Sequence, residues 1–411
     1  MLRLGYFGNR RLGRCCSVGQ RACLKRTLTA EFLNFGALPI SGLEHCLVAD
    51  AQDERPERIP GTPRGSLEEQ MSETVLQSTM RAAVRDHYGD ADVIRVGQVP
   101  VPTIAEDEVL VRVEAAGVDR GTWHLLTGRP YLARLAIGLR RPREAVLGRD
   151  VAGTVARTGS EVRRFTVDDS VFGVATGSFA EYAKAKERKL TSTPDGLSAV
   201  EAAILGISGM TALQAVDAAH LKGGSTVLVI GASGGVGSFA VQIARAVGAR
   251  VTGVCREAKA DFVRSLGIEQ VIAYDKVDKS DYGGPYDAII DTGGDTPITT
   301  LRTWLTPGGT LVIVGGEGGD AVTGMGRQLH ARFLSLFVRQ RLTFIVNRER
   351  QADLERLRAL VEAGAVRPAL DTAYPLEHAA QAIRQLTAGR VEGKLAVAID
   401  QAASDEPGSP E

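Results

Sequence analysis

The sequence has little cysteine, no excess of either charge and no long apolar run, and each absence closes off a class of protein. Of its five cysteines, at positions 15, 16, 23, 46 and 255, only the last lies in the main body of the chain. That excludes a disulfide framework and a cysteine-built zinc site there, and it points to a reducing, cytoplasmic setting. Lysine plus arginine total 49, as do aspartate plus glutamate. A balanced chain has no overall field to draw in nucleic acid or an anionic membrane, so the expected partner is a small molecule. No apolar stretch approaches the roughly 20 residues that a spanning helix needs. The 411 residues leave room for about two or three domains around a large core.

Residues 1–79 read differently from the rest. Arg3, Arg10, Arg11, Arg14, Arg21, Lys25 and Arg26 all precede the first acid, Glu31, and residues 50–70 are polar and proline-bearing. The segment is expected to be a disordered tail, or an upstream leader foreign to a protein that starts at Met71 or Met80. An organelle transit peptide is the alternative, since such peptides are arginine-rich and acid-poor.

The stretch that organises the chain is TVLVIGASGGVGSFAVQIARAVG, residues 226–248. Val227 to Ile230 form an apolar, β-branched run suited to a strand buried on both faces. Gly231 to Gly237 make a glycine turn, after which Val241, Ile243, Ala244 and Val247 recur at helical spacing until Gly248. Strand, glycine turn and helix are the opening unit of a dinucleotide-binding fold. The pattern is A-x-G-x-x-G, with Ala232 in the first place. Gly234 lets the backbone approach a pyrophosphate, Gly237 lets helix and strand pack closely, and the amides around Ser233, Gly235 and Val236 face the phosphates.

Upstream of Gly206 the chain breaks into short strand-like runs: Arg81–Arg85, Val109–Ala115, Val151–Ala156, Ser170–Val174 and Phe179–Ala185. Pro100, Pro102 and many glycines punctuate them. This predicts an all-β, barrel-like domain. Downstream, strands are predicted at Thr226–Ile230, Arg250–Cys255, Gln270–Ala273, Tyr286–Asp291, Thr310–Val314 and Leu342–Val346. Helices fall between the first pairs, at Ser238–Val247 and Ala258–Leu266, and Pro307-Gly308-Gly309 reads as a turn. The class is α/β, a doubly wound parallel sheet whose ligand crevice lies where Gly231, Cys255, Tyr274, Gly293 and Gly315 end their strands. An amphipathic helix (Leu354, Leu357, Leu360, Val361), a second helix (Ala379–Leu386) and a strand (Lys394–Ile399) follow, before a loose polar tail from 401.

These pieces together resemble the medium-chain dehydrogenases/reductases, and within them the zinc-independent quinone oxidoreductase branch. The resemblance is carried by AAGVDRGTWHLLTG (115–128), LGRDVAGTVARTG (147–159), GMTALQAV (209–216), VLVIGASGGVG (227–237), VIAYD (271–275), DTGGD (291–295), LTPGGTLVIVGG (305–316) and GRVEGKLAVAI (389–399), in the family's order. It implies a GroES-like β-barrel domain over 80–206, a Rossmann six-stranded parallel sheet over 207–346, a return to the first domain over 347–400, and an active site in the cleft between them. It also implies a homodimer, since such proteins often pair through their Rossmann sheets. Asp119 stands where the family's zinc enzymes have a cysteine, and Gly148-Arg149-Asp150 replaces their Gly-His-Glu. A guanidinium is no zinc ligand, so zinc-free chemistry is expected.

The second Rossmann strand ends Gly253-Val254-Cys255-Arg256, with no acid at its tip for a ribose 2′-hydroxyl. Arg256 and Lys259 sit instead where a 2′-phosphate would lie, which favours NADPH over NADH; solvated helix-start charges are the alternative. By resemblance, Lys259 and Tyr274 contact that phosphate or its ribose, and Thr211, Gly315 and Gly316 lie near the nicotinamide. Lys394 is likewise placed close to the cofactor. The plainer readings are a helix-start cap for Thr211, turn glycines for Gly293, Gly315 and Gly316, and a surface lysine for Lys394.

Hydride transfer to a quinone or an α,β-unsaturated carbonyl needs no metal, because the acceptor delocalises the incoming charge. No general acid stands out. Asp119, Trp123 and Tyr131 are the substrate-facing candidates, with a core role for Trp123 equally open. His124 reads as a helix-face residue, and Arg140, Arg141 and Arg143 as solvated charges. The leading function is an NADPH-dependent, zinc-free quinone or enone reductase. An enoyl-thioester reductase and a non-catalytic cofactor-binding protein of the same fold are the alternatives.

Overall fold

The computed structural model describes residues 78–315 and 324–399. The expectations for the N-terminal extension up to residue 77, for Gly316 and for the tail from 401 therefore lie outside the described residues.

The chain enters through the antiparallel pair β1 (Thr79–Val84) and β2 (Arg95–Pro100), followed by β3 (Glu108–Val118) and helix α1 (Arg120–Thr127). Asp119 caps α1, its Oδ1 accepting from the Thr122 amide at 2.7 Å, and Gly128 closes the helix at φ +61°. A short helix α2 (Arg134–Ile137) precedes β4 (Asp150–Thr158), β5 (Ser170–Val174), β6 (Tyr182–Lys186) and β7 (Leu190–Ser192). Ser198 and Glu201 form a capping box that starts α3 (Ala199–Ala203), and α4 (Gly206–Ala219) follows.

The alternating half runs β8 (Thr226–Ile230), α5 (Gly235–Ala246), β9 (Arg250–Cys255), α6 (Ala260–Ser265), β10 (Gln270–Ala273), β11 (Tyr286–Asp291), α7 (Ile298–Thr303), β12 (Leu305–Ile313), α8 (Gly326–Leu334) and β13 (Arg341–Phe344). These six strands form one all-parallel sheet in the order β10-β9-β8-β11-β12-β13. Val227, Leu228 and Val229 at its centre are fully buried, because helices cover both faces. Each such side chain contributes about 1.5–3 kcal/mol relative to exposure.

The chain then forms α9 (Gln351–Glu362), β14 (Leu370–Pro375), α10 (Ala379–Thr387) and β15 (Lys394–Ala398). β15 lies between β14 and β3, so the seven-stranded sheet β14-β15-β3-β4-β5-β7, with β6 paired to β3, draws on both ends of the described chain. The side chains on one side of this sheet make their own core, while Ala115, Ala152, Phe172 and Val174 pack into the core of the parallel half.

Several elements differ from expectation. β2, β7 and β14 were not anticipated, because β2 and β14 are largely exposed and β7 is only three residues long. Pro307-Gly308-Gly309 is no turn before a strand: it sits inside β12, where the register to β11 slips between Tyr286–Leu305 and Ala288–Thr310. Helix α9 buries Leu354 and Leu357 in the core of the parallel half, the latter against Gly209 of α4, whereas α10 packs Ala382 and Ile383 into the barrel core.

Candidate functional site

A cavity of about 450 Å³ opens at the carboxyl ends of β8, β9 and β11. Its floor is the glycine turn. Gly231 takes φ +79°, and the Gly231 and Ala232 amides both donate to Val254 O at 3.0 Å. A Cβ on Gly237 would fall 2.0 Å from Gly231 O, so glycine there is a packing requirement between strand and helix. Gly234 is different. A Cβ there would meet no protein atom nearer than Gly231 O at 3.4 Å, so the space above it is open to a ligand. As the N-cap of α5, Gly234 is followed by amides with no acceptor within the helix, aimed at that space.

Of the anticipated residues, Ser233, Gly234, Gly235, Val236, Arg256, Lys259, Tyr274 and Gly293 line this cavity. Arg256 Nε donates to the Tyr274 hydroxyl at 3.3 Å, and that bond holds the exposed guanidinium's pKa above its usual value. Lys259 is more constrained: its Nζ donates to Gly389 O at 2.8 Å and Val391 O at 2.7 Å, and burial lowers its pKa. It ties the cavity wall to the segment entering β15. Cys255 also lines the cavity, as a free, buried thiol pushed up to about 11 by burial and then by Glu257.

The other anticipated residues lie elsewhere. Thr211 is in the body of α4, where its hydroxyl donates to Ile207 O at 2.7 Å and accepts from Asn347 Nδ2 at 2.8 Å; it is no helix-start cap and does not line the cavity. Gly315 is pressed against Thr292 O, which a Cβ would approach to 2.4 Å. Lys394 is not a surface lysine. It is 3% exposed, its stem lies under Gly235, and its Nζ donates to Asp150 Oδ2 at 3.2 Å. Trp123 is half-buried against the barrel core with Arg120 over its ring, and Tyr131 is 44% exposed beneath Arg134. Neither lines the cavity. His124 Nδ1 is paired with Arg129 O at 2.9 Å, in keeping with a helix-face residue.

Asp119, Arg149 and Asp150, the residues set by resemblance against zinc ligands, are each tied to neighbours within the chain or buried among them. Arg149 forms an ion pair with Glu349, which also binds Lys189 at 2.5 Å. Asp150, fully buried, is pushed up to about 7 by desolvation, with the Lys394 ammonium pulling it down and the Asp119 carboxylate pushing it up. Its Oδ1 accepts from the Ile207 amide at 2.6 Å. Asp119 Oδ2 is buried with no partner. Among the described residues no group of three or more His, Cys, Asp or Glu could hold a metal ion.

Sequence reasoning missed part of the cavity. Arg120, Thr292, Thr296 and Gly393 line it, and Gly393 N donates to Ser233 O at 2.8 Å. Behind it, Asp291 Oδ1 accepts from the Gly293 and Gly294 amides at 3.2 and 3.1 Å, while Arg327 donates to Oδ2 at 2.5 Å. The DTGGD run was the available signal for this buttress.

A parallel six-stranded sheet with a glycine cradle, joined to a GroES-like barrel, defines a nicotinamide-dinucleotide dehydrogenase or reductase. Family models described as "Alcohol dehydrogenase GroES-like domain" and "Zinc-binding dehydrogenase" match residues 105–195 and 266–397. The chain is 32% identical over 316 residues to the chloroplast envelope quinone oxidoreductase homolog of Arabidopsis thaliana, covering 73% of this chain and 92% of that protein. It is 28% identical to the NADPH-dependent alkenal/one oxidoreductase, chloroplastic, of the same plant, over 78% of this chain and 80% of the relative. The quinone oxidoreductase structure from Coxiella burnetii superposes with a TM-score of 0.71 at 27% identity, covering 78% of this chain and all of that one. The chain belongs to the medium-chain dehydrogenase/reductase superfamily of NAD(P)H-dependent oxidoreductases, in its quinone oxidoreductase-like branch.

Proposed function

We propose that the protein transfers hydride from NADPH to a quinone or an α,β-unsaturated carbonyl without zinc. The observation that carries this reading is the open space over Gly234 in a cavity that also presents Arg256 and Lys259. The turn amides from Ser233 to Gly237 would take the bridging phosphates, and Arg256, Lys259 and Tyr274 the 2′-phosphate and its ribose. The dinucleotide supplies the hydride. The chain's own residues bind and orient: Gly293, held by Asp291, shapes the wall beyond β11, and Gly393, bonded to Ser233, closes the other side. The relative named as NADPH-dependent supports the phosphate reading.

Zinc is disfavoured by the donor set. Arg149 is committed to Glu349, Asp150 faces an ammonium, and Asp119 caps a helix. The buried thiol of Cys255 suits a reducing cytoplasm, and no helix among the described residues is long and apolar enough to cross a membrane. A homodimer is supported by the outer edge of β13, which pairs only with β12 among the described strands.

The test is steady-state oxidation of NADPH and NADH with 1,4-benzoquinone, a small enone and a crotonyl thioester, with metal analysis of the same sample. A lower KM for NADPH, turnover of the first two acceptors and sub-stoichiometric zinc are expected. NADH preference, thioester preference or a full equivalent of zinc refutes the corresponding part.

A further inference from the structure

Arg140, Arg141 and Arg143 take no part in the cavity, and their surroundings give them a role. Residues 129–143 leave the barrel between α1 and β4 and are anchored firmly. Arg134 donates to Gly128 O and Thr127 O at 2.9 and 3.1 Å, and the Tyr88 hydroxyl donates to Gly138 O at 2.6 Å. On this fixed base Leu132, Leu135 and Leu139 point outward, 53%, 65% and 65% exposed. The segment holds five arginines and no acid. Arg134 serves the anchor, while Arg129, Arg140, Arg141 and Arg143 are exposed and form no ion pair among the described residues. The start of α8 adjoins it, since a Cβ on Gly324 would stand 3.0 Å from Pro130 Cγ. That brings in exposed Met325 and Leu329, on a stretch, 324–348, that also lacks any acid.

We propose that this face, residues 129–143 with the adjoining start of α8, docks the protein on an anionic lipid bilayer. Outward leucines set among unpaired arginines match such a surface chemically: the apolar groups enter the acyl boundary while the guanidinium groups meet lipid phosphates. The zero net charge of the chain does not oppose this, because the attraction acts within about one Debye length, roughly 8–10 Å, of the patch. A second copy suits the face poorly, since a symmetric contact would set arginine against arginine.

The experiment is co-sedimentation of the full chain with phosphatidylcholine vesicles, with and without phosphatidylglycerol, at low and high salt. The parent is expected to pellet only with the anionic vesicles and to be released by salt. R140E/R141E should lower binding about tenfold or more, and L132S/L135S should lower it at low salt, each with an unchanged melting temperature. Because residues 1–30 are also basic, the charge-reversed variant is the decisive arm. No pelleting, equal pelleting on neutral vesicles, or parent-like binding by R140E/R141E overturns the proposal. So does a changed oligomeric state of R140E/R141E in sedimentation velocity, which would assign the face to a second copy.

Discussion

Replacing Lys394 by methionine should cost stability in a way that depends on pH, and the dependence follows from the buried pair. The Lys394 and Asp150 side chains are 2% and 0% exposed and meet at 3.2 Å. Asp150 is pushed up to about 7, above the roughly 3.9 of an unfolded aspartate. Below pH 7 the folded carboxyl already holds its proton, so removing the ammonium strands no anion, and the methionine stem keeps the contact with Gly235. Above pH 7 the parent ionises Asp150 against Lys394. The variant has lost that partner, and its carboxyl must retain a proton or become an unpaired buried charge. Folded variant then binds more protons than folded parent, so its relative stability falls by about 1.4 kcal/mol per pH unit. Between pH 7 and 8.5 that amounts to roughly 2 kcal/mol, rising toward the ~3–5 kcal/mol typical of a broken buried pair. Urea unfolding of parent and K394M at pH 6, 7 and 8.5 reads the effect. A cost that is the same at all three values would show that Asp150 does not titrate in this range, and the reasoning would fail.

Other outcomes follow from the same geometry. Gly237→Ala places a methyl 2.0 Å from Gly231 O, so it should lower stability by about 1–3 kcal/mol and abolish quenching in a cofactor fluorescence titration. Lys259→Met should raise the KM for NADPH about tenfold or more while leaving that for NADH little changed, as one charge-assisted phosphate contact is lost. Asp291→Asn leaves Arg327 facing a neutral partner and should cost roughly 3–5 kcal/mol in urea melts, with weakened cofactor binding because Gly293 loses its anchor. Chelator treatment should leave turnover with 1,4-benzoquinone intact.

The parallel half was legible because its signals are local. Apolar runs bounded by glycine or a charge gave β8, β9, β10 and β11 with the observed limits. Polar edge strands carried no such run, which hid β2 and β14. The glycine cradle was legible for the same reason, but the roles of charged residues were not. A lysine at position 394 looks like any surface lysine until Asp150, 244 residues away in sequence, is brought beside it. Thr211 has the residue type of a cap, yet Asn347 claims its hydroxyl from across the fold. Trp123 is aligned with a pocket by resemblance, whereas Tyr131 belongs to an excursion with no match in the family form, and that excursion turns Tyr131, Leu132, Leu135 and Leu139 outward.

Strand β15 has a temporal consequence. It inserts between β14 and β3, so β3, the first long strand among the described residues, waits for one of its neighbours until residues 394–398 have left the ribosome. During that interval the nascent barrel presents an open edge at β3 and an Asp150 without its counter-ion, whereas the parallel sheet already has every strand it needs. Premature termination upstream of Lys394 would therefore release a chain whose cofactor half is complete in strands and whose barrel cannot close.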